Sequence, residues 1–267
     1  MRTDTRKGGA PTPLHGAPKF KPVTLDIFRT ALRKGMADLK AAPFIGLCFS
    51  LFYFICGWIL VWITLQSETT YWLVLAATGF PLIGPFAAVG FYDISRKRQA
   101  NEPVIVSEVL SVIFSQRLRQ LPSISAVIVI VVMFWFFLGH MVFALFLGHM
   151  PMVNVSTSLE VFTTPQGASM LLFGSAVGAG FAIILFNISV LALPMLLDRE
   201  VDFVTAMLTS FQVVLNNPVQ MLGWGLFIAV LTFLALVPWF LGLFLVLPLL
   251  GHATWHVYDL LKEEEAA

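Results

Sequence analysis

Six apolar runs divide this chain at residues 43–65, 71–91, 122–147, 167–196, 219–237 and 238–257, and all 16 lysines and arginines lie on one side of them. Each run is near or above the roughly 20 residues an α-helix needs to cross a hydrocarbon core about 30 Å thick. If the chain crosses at every run, the segments between them alternate between the two faces. The segments before the first run, between the second and third, between the fourth and fifth, and after the sixth then carry every cation. The other three loops hold only Glu68 and Glu160 as charges. Cationic loops stay cytoplasmic, so both termini are predicted inside. The predicted fold class is all-α, a polytopic membrane bundle of six transmembrane helices.

A chain that is 58% hydrophobic and 12% charged cannot clothe a soluble globule, which has about 25% charged residues. Its predicted partner is therefore the lipid bilayer, with membrane-protein partners and homo-oligomers left open. No basic segment carries the interleaved aromatics that nucleic-acid sites use, so no nucleic acid is expected. Cys48 and Cys56 fall in one run, about 12 Å apart along a helix and too far for a disulfide. They read as small, buried apolar residues. Residues 1–22 are rich in Gly, Pro, Thr and cations and read as a disordered cytoplasmic tail. They lack the pattern of a cleaved signal, so the first run is expected to direct insertion itself. Residues 262–267 read as an acidic tail.

Three cytoplasmic segments share a plan: an amphipathic stretch, a proline (Pro43, Pro122 or Pro218), then a membrane run. Four residues before each proline stands Leu39, Leu118 or Val214. Twelve before stands Ala31, Leu110 or Ala206, and Phe28 and Phe203 share a further offset. This helical spacing predicts three short interfacial helices, each ended by the proline that opens a span. Thr24, Ser107 and Asp202 are the expected N-caps. Pro81, Pro85, Pro194 and Pro248 interrupt the returning runs, where a kink is expected. The units so defined are about 23–98, 103–199 and 201–261, a pseudo-threefold repeat of kinked hairpins. Their spacing is unequal because the external loop at 149–166 is long, whereas the third hairpin turns at once around Pro238.

Several polar or special residues stand out. Gly174, Gly178 and Gly180 smooth the fourth run and predict close helix packing, with a substrate-lining role as the alternative. Asn187 is expected to find a hydrogen-bond partner on a neighbouring helix, and its closeness to Pro194 leaves a functional role open. Asp93, Arg96, Lys97 and Arg98, and Asp198, Arg199, Glu200 and Asp202, either pair across units or form a solvated rim. His252 and His256 share a helix face, while His140 and His149 are predicted at the opposite membrane face. Two histidines fall short of a closed metal site, so no haem, metal or other cofactor is expected. Alternating with Trp255 and Tyr258, the pair reads as part of an interfacial aromatic belt. No nucleophile elbow, P-loop, dinucleotide fingerprint or HExxH motif occurs, and no span carries a charge at mid-depth. Neither an enzyme nor a proton-driven carrier is therefore expected, and no catalytic residue is assigned.

Three stretches carry a resemblance. They are Gly84-Pro85 with Gly90-Phe91-Tyr92-Asp93-Ile94-Ser95-Arg96; Leu197 to Asp202 with Thr209-Ser210, Asn217-Pro218 and Gly223-Trp224; and Pro248 to His256. Together, over about 23–261, they resemble the bacterial integral-membrane family known as domain of unknown function 2189. The resemblance implies six spans and an inner-membrane location, and no activity. Function is then expected to be non-enzymatic: handling a small or lipidic solute at kinked helices, or assisting membrane assembly. The alternative is an accessory or structural subunit of a respiratory, cytochrome c oxidase-like complex. A haem–copper core, however, needs several mid-membrane histidines.

Overall fold

The computed structural model describes residues 15–67, 72–148 and 164–263. Residues 1–14 and 264–267, Glu68, and most of the loop read at 149–166, His149 and Glu160 included, lie outside the described residues. Among the described residues the fold is all-helical. Helix α1 (Leu25–Ala41) precedes α2 (Pro43–Ser67) and α3 (Trp72–Gln99). Helix α4 (Val106–Ser115) passes through a 3-10 turn (Gln116–Leu118) into α5 (Leu121–Leu147), which is followed by α6 (Pro165–Ser189) and α7 (Ala192–Asp198). The chain closes with α8 (Phe203–Asn216), α9 (Pro218–Leu236) and α10 (Leu243–Leu261). Among the described residues, four stretches are long and apolar enough to cross a membrane: Pro43–Ile63, Leu121–Leu147, Pro165–Asp198 and Pro218–Leu236. Large side chains such as Phe134, Phe137, Leu226 and Phe233 remain exposed on α5 and α9, as surfaces solvated by lipid do.

Local chemistry sets the helix ends. Pro43 and Pro218 open α2 and α9, where the missing N–H costs nothing. Asp202 caps α8, accepting the Thr205 N–H at 2.8 Å. Thr24 holds the N-cap position of α1 without a side-chain bond. Ser107 is not a cap. The cap lies two residues earlier, at Ile105, whose extended backbone leads directly into the helix at Val106.

The three stretches expected to be interfacial differ in how they bury their faces. Phe28, Ala31, Gly35, Asp38 and Leu39 form the buried face of α1, and Ala206, Ser210, Val213 and Val214 that of α8. The offsets read from the prolines therefore hold for the first and third stretches. They fail in the second, where Leu118 is 84% exposed and Leu110 faces outward as well. The 3-10 turn is the cause. Its tighter winding shifts the register, so Val109 and Gln116 turn inward instead.

Of the prolines, Pro194 sits beside a true break. Pro194 has no N–H for the Val190 carbonyl, and the helix parts at Val190–Leu191 between α6 and α7. The Ser210 hydroxyl fills the gap, donating to the Asn187 carbonyl at 2.7 Å and accepting the Leu191 N–H at 3.2 Å. A side chain inserted into the helix ladder is a recognised cause of bending. Helix α3 runs on through Pro81 and Pro85, and α10 through Pro248.

Helix α1 packs chiefly on α10. A Cβ on Gly35 would lie 2.9 Å from the Ala253 nitrogen, so backbone meets backbone there. Phe28 stacks on Trp224 at 5.0 Å, an arrangement worth about 0.5–1.5 kcal/mol beyond its buried area. Residues 15–22 are not the loose tail their composition predicts. Lys21 donates to the Leu261 carbonyl, Glu263 to that of Lys19, and Gly16 to that of Glu200. Phe20 meets Tyr258 edge-on. This short stretch straps the end of α10, because the free carbonyls there give its backbone partners.

Candidate functional site

The C-terminal halves of α3 and α10 and the last turns of α1 converge on a polar cluster. His256 Nε2 donates to Asp38 Oδ2 at 2.7 Å, and Arg98 Nε donates to Asp38 Oδ1 at 2.8 Å. An ionised carboxylate only accepts, which puts the imidazole proton on Nε2. His256 Nδ1 is then free to accept the Gln99 amide at 3.4 Å. Gln99 also donates to Asp259 at 2.7 Å and accepts the Trp255 indole N–H at 2.7 Å. His252 Nδ1 lies 2.8 Å from Ser95 Oγ, and its ring stands edge-on to Phe91. Burial would raise the Asp38 carboxyl, but hydrogen bonds from His256, Ser95 and Arg98 outweigh it and hold the group below the ordinary carboxylate range. His252 and His256 are 0% and 2% exposed. The aromatic-belt reading is thus overturned: the histidines and Trp255 face the protein, because Asp38, Ser95 and Gln99 supply polar partners inside. His140 stays exposed on α5, against the Phe136 carbonyl.

Most of the charged residues at the ends of α3 and α7 have ion-pair partners, while Asp202 is exposed and serves as a helix cap. Asp93 is fully buried and accepts Arg96 at 2.7 Å within α3, with Lys97 at 3.6 Å. Lys97 reaches across to Glu108 of α4 at 2.7 Å. Asp198 accepts Tyr258 Oη at 2.8 Å and has Lys262 at 3.4 Å and Arg199 at 3.6 Å. Glu200 accepts from Arg119. The two charge groups therefore do pair across elements, although Asp93–Arg96 and Asp198–Arg199 do not meet each other. Asn187 departs from expectation: its side-chain Oδ1 is buried without a hydrogen-bond donor among the described residues, and its backbone carbonyl takes Ser210 instead. The fourth-run glycines pack unevenly. A Cβ on Gly178 would meet the Trp135 ring nitrogen at 3.3 Å, and one on Gly180 nothing within 4 Å.

Pro85 is buried in α3, and the residues that follow it line an apolar cleft of about 450 Å³ beneath α4. Its walls include Phe44, Cys48 and Phe52 of α2, Phe86 of α3, and Val109 and Ile113 of α4. A second cleft of about 500 Å³ adjoins it, sharing Phe44, Ile45 and Val106, and adds Pro43, Arg98 and Glu102. Cys48, read as buried, is exposed on this wall, and both cysteines are free. The kinks do not gather around these clefts. Pro248 packs onto Gly46, where an added Cβ would meet it at 3.0 Å, and Pro194 lies at the break bridged by Ser210.

Residues 73–198 match DUF2189, a predicted integral membrane protein. No curated protein and no solved structure matches the chain. The match and the apolar helices together make the chain an integral membrane protein of unknown function. The DUF2189 match is shorter than the resemblance read over 23–261. It runs from α3 through α7, so it takes in Pro85, Asp93, Arg96, Asn187, Pro194 and Asp198. Arg199, Pro248, His252, Trp255 and His256 fall outside it, as do Asp38 and the α2 wall of the clefts.

Sequence reasoning missed Asp38, Gln99 and Glu102. Asp38 carried a usable signal: it continues the Phe28, Ala31, Gly35 series on the apolar face of α1, where a carboxylate requires a partner. Gln99 and Glu102 gave none, lying in what read as a charged loop.

Proposed function

We propose that this is a bacterial inner-membrane protein of six spans, with both termini cytoplasmic, that binds a lipidic solute without transforming it. The observation that carries the reading is the apolar cleft bounded by α2, α3 and α4, continuous with a polar mouth at Arg98 and Glu102. A volume of this order is typical of ligand pockets. Its lining residues Phe44, Phe52 and Leu110 are exposed, so the cleft opens where lipid would surround the protein.

The topology has its own support. Helices α3 and α10, with 28 and 19 residues, reach about 42 and 28 Å at 1.5 Å per residue, enough to serve as the second and sixth spans. The inter-element ion pairs Asp38–Arg98, Lys97–Glu108, Arg119–Glu200 and Asp198–Lys262 each join two segments assigned to the cytoplasm by their cations. The order of a short helix, a span and a returning span recurs three times, which favours the repeat. The burial of Ser95 with His252 supports a binding rather than a hydrolytic role. His256 is engaged through both ring nitrogens, with Asp38 and Gln99, and His252 through Nδ1 with Ser95.

The test is purification of the full chain in a mild detergent, followed by mass spectrometry of retained lipid. Retention of lipid at about one per chain is expected. A preparation that carries none, while remaining folded and able to take up none when lipid is added back, would end this reading.

A further inference from the structure

Arg98 and Glu102 stand together at the mouth of the cleft through a particular ending of α3. Asn101 adopts a left-handed backbone (φ 56°), the Glu102 N–H returns to the Lys97 carbonyl at 2.8 Å, and that of Asn101 to Arg98 at 3.2 Å. This paired closure is the Schellman arrangement, in which asparagine tolerates the left-handed position. It reverses the chain at once and Pro103 keeps it from resuming the helix. As a result, a cation and an anion line one opening without forming an ion pair with each other. Arg98 uses Nε on Asp38 and leaves the rest of its guanidinium donors unspent among the described residues. Glu102 is exposed and its carboxylate enters no ion pair there.

Resting on the lipid reading above, we infer that the cleft takes a phospholipid with a zwitterionic, amine-bearing headgroup. Its phosphate sits at the Arg98 guanidinium, its ammonium at the Glu102 carboxylate, and one acyl chain in the apolar cleft beneath α4. Geometry orders these parts correctly. Pro43 and Phe44 border the polar mouth, and Cys48 and Phe52 continue the same face of α2. From Phe44 to Phe52 the face extends about 12 Å along the helix axis, so the site runs from headgroup level into the hydrocarbon. Guanidinium suits phosphate through its planar fork of donors. An anionic headgroup without an amine would satisfy Arg98 and meet Glu102 as a like charge. Charge complementarity at the mouth thus selects one class of headgroup.

The full chain is delipidated in detergent and titrated with phosphatidylethanolamine or phosphatidylglycerol of identical acyl chains, with bound lipid counted by native mass spectrometry. Preference for phosphatidylethanolamine is expected at about threefold, the scale of an exposed ion pair. Glu102→Gln should abolish the preference and Glu102→Lys reverse it. Neither variant touches a partner that the fold needs. Cys48→Trp should block the apolar cleft and lower binding of both lipids. Equal binding of the two lipids by the native chain, with Cys48→Trp still lowering it, overturns the headgroup assignment and leaves the lipid reading intact. Lipid binding that Cys48→Trp leaves unchanged overturns the site itself.

Discussion

Asp38 and His256 stand 218 positions apart in the chain and meet at 2.7 Å, Oδ2 to Nε2. Arg98 occupies the second oxygen of the same carboxylate, so one side chain of α1 ties α3 and α10 together. Asp38→Ala should cost about 2–3 kcal/mol, less than a fully buried pair because Arg98 remains partly exposed. Thermal unfolding in detergent measures it. A double-mutant cycle with His256→Ala should show non-additive losses; strictly additive losses would mean the two residues do not act together.

The same carboxylate gives a pH dependence. Its folded value lies below the ordinary 3.8, so its contribution is complete above that ordinary value. It is lost as pH falls from there through the lowered folded value. The gap in melting temperature between the native chain and Asp38→Asn should therefore narrow as the medium is acidified through this window. A gap that widens on acidification contradicts the hydrogen-bonded carboxylate.

Ser210 holds the broken helix by serving the Asn187 carbonyl and the Leu191 N–H together. Ser210→Ala leaves both backbone groups buried and unpaired, and should destabilise by about 1–3 kcal/mol. Hydrogen exchange at the Leu191 amide should quicken more than exchange within α9. Exchange there that stays at the native rate would show that the hydroxyl is dispensable.

Glycine positions should separate sharply under substitution. Gly35→Leu forces a side chain against the Ala253 backbone, whereas Gly180→Leu meets open space. Loss of at least about 1–3 kcal/mol is expected for the first and near-neutral behaviour for the second, read from paired melting curves. Equal effects would contradict the close approach of α1 to α10.

Membrane orientation is open to a direct assay. A reporter inserted after Ala100, in the turn between α3 and α4, should be active only if it is one that works in the cytosol. Activity of a periplasmic reporter at that site would reverse the orientation.

The sequence made the helices legible where one residue type acts through its own backbone. Proline at Pro43 and Pro218 opens a helix by lacking an N–H, and Asp202 caps one by reaching three residues ahead. Apolar runs likewise reveal themselves, because transfer to lipid depends on composition. The polar cluster was not legible, since the partner of His256 comes from the opposite end of the chain and no local spacing encodes it. The second interfacial stretch misled for a related reason: a 3-10 turn changes the angular step, and Leu118 ends outside despite the right offset. Residues 15–22 look unstructured by composition, yet the carbonyls at the end of α10 give that backbone something to bind.

Helix α1 rests chiefly on α10, and residues 15–22 close over the end of that same helix. During synthesis the first helix therefore leaves the ribosome long before its seat exists. It must wait, its buried face uncovered, until α10 has been made. Closure of the fold then falls to contacts made between distant parts of the chain, and a truncation that removes α10 should leave α1 open to proteases.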